Sequence, residues 1–283
     1  MSQSPGGGFD AYSRALARHL GKYLPGNPAT LVQNMPGAGN MIAVNYLYRV
    51  AKPDGLTIGN FVGGVVLEQL LARKGVDFDA RRFEWIGVPI KYHPACVLNK
   101  SSGVATLSQW VAAKTPLKIG GTGPGSTSDQ IPRVLAATIG LPLQLVSGYK
   151  GTADIRLAAE SGEVNGACFA WQSIKATWRK DIESGQMNVV LQAMPTAHPE
   201  LPNTPLATTL ARTEEAKKLL QSGVYDPAAI TLPYMLPPGT PKERLQELRR
   251  AFEETIQDKE FLAEMAKSGL DIDPLTGEQV ERI

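Results

Sequence analysis

Glycines and small residues, suited to holding a small anion, recur together at three places in this 283-residue chain. Residues 4–10 read SPGGGFD, residues 34–40 NMPGAGN and residues 120–129 GGTGPGSTSD. Each stretch runs into a helical pattern, and the second and third follow a β-rich run. The first turn of a helix carries backbone N–H groups with no intrahelical partner and a partial positive charge. Glycine lets a bound group come close to that backbone, so such loops suit small anions. Ser126, Thr127 and Ser128 add hydroxyls to the third loop.

Phosphate and nucleotide chemistry fit poorly. No G-x-x-x-x-G-K-[ST] stretch exists. The dinucleotide pattern G-x-G-x-x-G fails at its third glycine twice: Ser126 stands there after Gly121, and Ile42 after Gly37. Small carboxylates remain. Covalent chemistry lacks its usual parts. The three histidines, His19, His93 and His198, are scattered, and no G-x-S-x-G elbow is present. The pattern predicts His19 on the polar face of the first helix and His93 and His198 in structural loops. No cofactor motif and no metal-ligand spacing stand out, which points to binding without turnover. Two other classes stay open. One is an enzyme built on Ser126, Ser128 and Asp129; the other is a sensor or partner-docking module.

The charge balance, 29 basic against 27 acidic residues, argues against a nucleic-acid surface. Arg81–Arg82 and Arg249–Arg250 read as solvated faces. No run of about 18 apolar residues suits a membrane span, and no secretory leader pattern opens the sequence. Cys96 and Cys168, the only cysteines, read as small buried apolar residues; the sequence leaves a disulfide between them open.

These residues need a frame, and the pattern supplies one. Strand-like ATLVQN (29–34), LTIGNF (56–61), FEWIGVPI, ACVLNK, LKIGG, LQLVSGY, VNGACFA and MNVVLQAM alternate with helical segments. The helical runs include 41–51, 65–75, SDQIPRVLAATIG, TADIRLAAESG and QSIKATWRKDIESG. Thr106 reads as an N-cap, as does Thr240 with Pro241 at the first helical position. Leu245, Leu248, Phe252 and Ile256 share a face of the helix that follows. Such alternation predicts βαβ units and a mostly parallel sheet. Apparent crossings near 95–107 and 228–248 predict an inserted lobe.

The segments PGGGFDAYSRALARHL, VQNMPGAGNMIAVNYLYRVAKPDGLTIG, TGPGSTSD, GYKGTADIRLAAESGEV and LPPGTPKERLQEL together resemble the solute-binding receptors of tripartite tricarboxylate transporters, the Bug proteins. The likeness spans nearly the whole chain, and the combination of motifs is more specific than any one. It implies an α/β, type II periplasmic-binding-protein-like fold with two lobes, two hinge strands and a ligand cleft between them. The lobes would be 1–98 with 231–283, and 99–230. It implies capture of a small organic acid for membrane transporter subunits by a periplasmic, monomeric protein that needs no cofactor and no metal.

Carried over residue by residue, the ligand-binding set is Gly6, Gly7, Gly8 and Asp10; Asn34, Gly37, Ala38 and Gly39; Thr122, Gly123, Gly125, Ser126 and Ser128; and Tyr149 and Lys150. Phe169 and Trp171 are added from the residues themselves, with a core role as the alternative. Asp10 reads first as a cap of the first helix, with contact to ligand polar groups as the alternative. Relatives often carry His where Asp129 stands, and an acid there would repel a carboxylate unless it faces away or caps the helix. The resemblance also implies an apolar strand ahead of the first glycine loop, where this sequence has MSQ, and a longer final helix, and hence reduced stability.

Overall fold

The computed structural model describes residues 8–35, 37, 40–72, 74–123 and 126–283. In chain order its helices and strands are α1 (Gly8–Leu20), α2 (Met41–Arg49), β1 (Gly59–Asn60), α3 (Val65–Leu70), β2 (Glu84–Val88), β3 (Pro94–Asn99), α4 (Leu107–Val111), β4 (Leu117–Gly121), α5 (Thr127–Ile139), β5 (Leu143–Ser147), α6 (Thr152–Glu160), β6 (Gly166–Ala170), α7 (Trp171–Glu183), β7 (Met187–Gln192), α8 (Glu214–Leu220), α9 (Asp226–Ala229), β8 (Tyr234–Leu236), α10 (Lys242–Gln257), α11 (Lys259–Lys267), β9 (Leu275–Thr276) and α12 (Gly277–Glu281). They form two units. One comprises residues up to Lys91 together with Ala229–Ile283, and the other is Tyr92–Ala228.

The second unit is built on a sheet of order β5-β4-β6-β3-β7. Alternation along β3 fixes its two faces. Cys96 and Leu98 join one apolar cluster with Ile119, Leu135 and Leu191; Ala95 and Val97 join another with Ile155, Phe169 and Trp178. Helices therefore cover both faces, and β3 is buried on both. β4 pairs in parallel with β5 and β6, whereas β3 runs antiparallel to β6 and β7. The first unit has the sheet β1-β8-β2-β9, whose pairs are all antiparallel. The expectation of a mostly parallel sheet is thus corrected: only the β5-β4-β6 part follows the βαβ rule. Pro94–Asn99 lies wholly within the second unit's ladder, so the first unit boundary falls before that strand rather than after it.

Local sequence accounts for the elements that matter to the loops. Ser126 caps α5, its Oγ accepting the Asp129 N–H, and Gly140 ends the helix at φ 67°. Thr106 caps α4 as expected. Tyr12, Ala15, Leu16 and Leu20 bury one stripe of α1. Leu245, Leu248, Phe252 and Ile256 do the same for α10. Thr240 does not cap α10; its hydroxyl donates to the Pro237 carbonyl, and Pro241 itself holds the cap position.

Other expectations are corrected by packing. His19 is only 8% exposed, because α11 packs on the face of α1 that reads as polar; its ring meets Phe261 edge-on and its Nε2 lies 2.9 Å from a Glu264 carboxylate oxygen. Arg249 is buried too, donating to the Trp85 carbonyl at 2.8 Å and pairing with Glu281. Cys96 and Cys168 are joined as a disulfide across the β3–β6 pair, where they stand directly opposite one another. The helix expected over 65–75 stops at Leu70.

The run 29–34 forms no strand. Residues 29–32 have no regular secondary structure, and among the described residues no hydrogen bond joins their backbone to any neighbour. β1, the remnant of the strand expected over 56–61, pairs only with β8 among the described residues. A groove of about 450 Å³ lies beside both, lined by Leu20, Thr30, Leu31, Gln33, Leu47 and Ile58 among others. A strand needs a ladder partner for its N–H and C=O groups, and neither segment has one on that side among the described residues. The buried Asn60 Oδ1 also has no hydrogen-bond partner.

Candidate functional site

The C-terminal ends of β4, β5 and β6 share one edge of the second unit's sheet, since these strands run parallel. In open α/β sheets that edge is where ligands are held. The loop after β4 carries Thr122, Gly123, Ser126 and Ser128. The loop after β5 carries Tyr149 and Lys150, and the N–H groups of Gly148 and Tyr149 both donate to the Gly121 carbonyl. The fold therefore brings two of the sequence-predicted groups together. Gly125 lies outside the described residues.

The polar groups of this edge are tied to one another. The Thr122 N–H donates to Ser128 Oγ at 3.0 Å, and the two hydroxyls are also 3.0 Å apart. The Ser126 hydroxyl donates to the Gly123 carbonyl at 2.7 Å. Asp129, 1% exposed, receives the Gly123 N–H on Oδ1 at 2.9 Å and the Ser147 hydroxyl on Oδ2 at 2.6 Å. Arg133 approaches Oδ2 at 3.9 Å from the next turn of α5. Gly121 makes room for this carboxylate, since a Cβ there would sit 2.2 Å from Asp129 Oδ1. Asp129 is therefore neither the helix cap nor turned to solvent: it is the acceptor about which the loop is folded. Sequence reading missed Ser147 and Arg133. Arg133 stands four residues after Asp129, a spacing that signals the pair; nothing in the sequence marks Ser147.

The other predicted residues of this unit are committed elsewhere. The Tyr149 hydroxyl donates to Glu163 at 2.6 Å. Removal from water, with the Glu163 carboxylate adding to it, pushes this phenol up to about 12. Lys150 is exposed, with no ion-pair or hydrogen-bond partner among the described residues. Phe169 stacks on Trp178 inside the apolar cluster, ring centroids 5.4 Å apart. Trp171 is 5% exposed and donates its indole N–H to Glu200 at 2.6 Å. Both rings take the core role.

In the first unit, Gly6, Gly7, Ala38 and Gly39 lie outside the described residues, and Gly8 opens α1. Asp10, in the first turn of α1 and 4% exposed, receives Arg14 Nε on Oδ2 at 2.8 Å and Asn34 Nδ2 on Oδ1 at 3.0 Å. Arg14 Nη2 in turn donates to Asn34 Oδ1 at 3.1 Å. This closed triangle ties the second glycine loop to α1. Gly37 follows at φ 130°, a conformation that favours glycine, and its carbonyl receives the Asn40 N–H. Arg14 was not singled out from sequence, although it stands four residues after Asp10.

His19, Asp258 and Glu260 place ligand-type atoms within 4.8 Å of one another. Asp258 already accepts the Glu260 and Phe261 N–H groups and the Tyr23 hydroxyl, and Lys22 pairs with both acids. The donor set is that of a salt-bridged helix cap rather than a metal centre. No helix among the described residues is long and apolar enough to cross a membrane.

Comparisons with known proteins agree with this architecture. The chain matches a TctC solute binding protein from Polaromonas with a TM-score of 0.77 at 17% identity, over 99% of this chain and 90% of that one. It matches MatC from Rhodopseudomonas palustris with bound malate at 0.65 and 18%, over 100% and 90%. A further R. palustris protein, with adipate, matches at 0.64 and 18%, over 99% and 89%. At these identities the likeness shows the fold, that of two-lobed α/β solute-binding proteins. No curated protein matches the sequence. The sequence pattern of the tripartite tricarboxylate transporter family receptor matches residues 13–283, and the chain belongs to that family of solute-binding receptors.

Proposed function

We propose that the protein captures a small organic acid without chemical turnover and presents it to the membrane subunits of a tripartite tricarboxylate-type transporter. The observation that carries this reading is the family match over residues 13–283. It is supported by the clustering of Thr122, Gly123, Ser126 and Ser128 with the loop after β5 at one sheet edge. The malate and adipate in the two Rhodopseudomonas proteins make carboxylates the first class to try. The Cys96–Cys168 disulfide suits an oxidising compartment, in keeping with a periplasmic receptor. In the first unit, the Asp10–Arg14–Asn34 triangle ties Asn34, where the second glycine loop begins, to α1, which supports that loop as a ligand contact.

The test is a thermal-shift screen against small carboxylates at low ionic strength. A ligand at a hundred times its Kd adds roughly 2.7 kcal/mol of stability. A selective shift, with the acid recovered unchanged afterwards, is the expected outcome. No shift by any acid, or conversion of the acid, overturns the reading.

A further inference from the structure

We infer that Asp129 makes the second unit's loop a site for a hydrogen-bond donor, so that the ligand carries a hydroxyl or ammonium group there and not a second carboxylate. This rests on the carboxylate-capture reading above and deepens it.

A glycine loop before a helix ordinarily offers N–H groups to an anion. Here the described N–H groups ahead of the helix are spent. The Thr122 N–H goes to Ser128 and the Gly123 N–H to Asp129. The Ser126 N–H goes to the Gly123 carbonyl. Pro124 has no N–H to give. The hydroxyl protons are spent in the same way: Ser126 donates to Gly123 and Ser147 to Asp129. Thr122 and Ser128 contact each other, and Ser128 also lies 3.1 Å from Ser126. With the Ser126 oxygen taken by the Asp129 N–H and the Ser128 oxygen by the Thr122 N–H, the acceptor the loop keeps is the Thr122 hydroxyl, backed by the Asp129 carboxylate.

Two features pull the other way. Among the described residues, the first-turn N–H groups of Thr127 and Ser128 have no acceptor and Lys150 has no ion-pair partner. Burial decides between them. Asp129 is 1% exposed, where charge acts through a low dielectric, whereas Lys150 lies in water and is screened. Arg133 offsets only part of the charge, at 3.9 Å and from a side chain that is itself 64% exposed.

The experiment uses two matched acid series that differ only at the far end: butyrate, 4-hydroxybutyrate, 4-aminobutyrate and succinate, and the corresponding six-carbon acids ending in adipate. Affinities are measured by calorimetry for the wild-type protein, Asp129→Asn and Arg133→Gln. The wild type should bind the hydroxy or amino acid of a series about tenfold or more tighter than the diacid. Asp129→Asn should close or reverse that gap, and Arg133→Gln should widen it. The wild-type ranking stands alone if Asp129→Asn fails to fold, and the exposed Arg133 gives a second variant. Diacids binding tightest to the wild type, or a ranking untouched by both variants, overturn the inference and leave carboxylate capture intact. Failure of every acid in both series overturns the two together.

Discussion

Single residues decide two of the properties that can be measured first. Asp10 is almost fully buried and accepts from both Arg14 and Asn34. Asp10→Ala removes the buried carboxylate that accepts from the Asn34 amide and should cost about 1–3 kcal/mol in urea unfolding. Arg14→Ala should cost less, since the guanidinium is 42% exposed and solvent screens its pairing. Equal losses would show that the ion pair, not the amide acceptor, holds the loop. Asp258 governs acid stability. The Tyr23 hydroxyl, followed by the Phe261 N–H, holds its carboxyl well below the usual carboxylate range. A group depressed in the folded state stabilises above its unfolded value, about 4, and that contribution fades as the pH drops toward the folded value. Wild-type melting temperature should therefore fall as the pH goes below about 4, and Asp258→Asn should flatten that fall. Identical acid slopes in the two proteins would remove Asp258 from the account.

At the scale of elements, the β3–β6 pair holds the second unit's sheet through five residue pairs and a disulfide spanning 72 residues of sequence. Chain-entropy arguments give such a loop about 4 kcal/mol of stabilisation. The Cys96→Ala/Cys168→Ala double variant should lose up to that amount in a denaturant melt, while an unchanged midpoint would mean that the ladder alone suffices. Gly121→Ala tests the end of β4. It deletes no functional group, yet its Cβ would stand 2.2 Å from Asp129 Oδ1. Ligand binding should fall together with stability, and retained affinity would detach the Asp129 cluster from the site.

The same elements show what a sequence exposes and what it hides. α5, α6, α10 and strands β3 to β7 are legible because caps, glycine stops and apolar spacing are local signals, as Ser126, Gly140 and the Leu245–Ile256 stripe illustrate. Residues that matter through distant partners are not. His19 and Arg249 look solvent-facing in their own helices, and only α11, Trp85 and Glu281 bury them. The run 29–34 has strand composition and lacks a neighbour, which no local pattern reveals. For the site, loop positions were readable from glycine and hydroxyl spacing. Their partners Ser147 and Arg14 were not, because Ser147 arrives from the adjacent strand and Arg14 is one of two arginines on its helix.

For the whole molecule, the apolar interior is divided into separate clusters in the two units, with both sheet faces covered in the second. Ligand added to such a receptor stabilises by mass action alone, so the melting temperature should rise with the logarithm of free ligand once the right acid is found. A plateau would point to a second melting unit that the ligand does not stabilise.

The groove beside residues 29–32 carries a consequence for handling the protein. Backbone whose hydrogen-bonding groups have no partner among the described residues, together with Leu31 at 80% and Leu56 at 86% exposure, offers a place where other chains can add strands. Clouding on storage should therefore accelerate steeply with concentration. Leu31→Lys, which places a charge on that edge without touching the core, should slow it with little change in melting temperature. Amide protons of residues 29–32 should also exchange with solvent deuterium far faster than those of β3, and any strand that docks there should announce itself by slowing them.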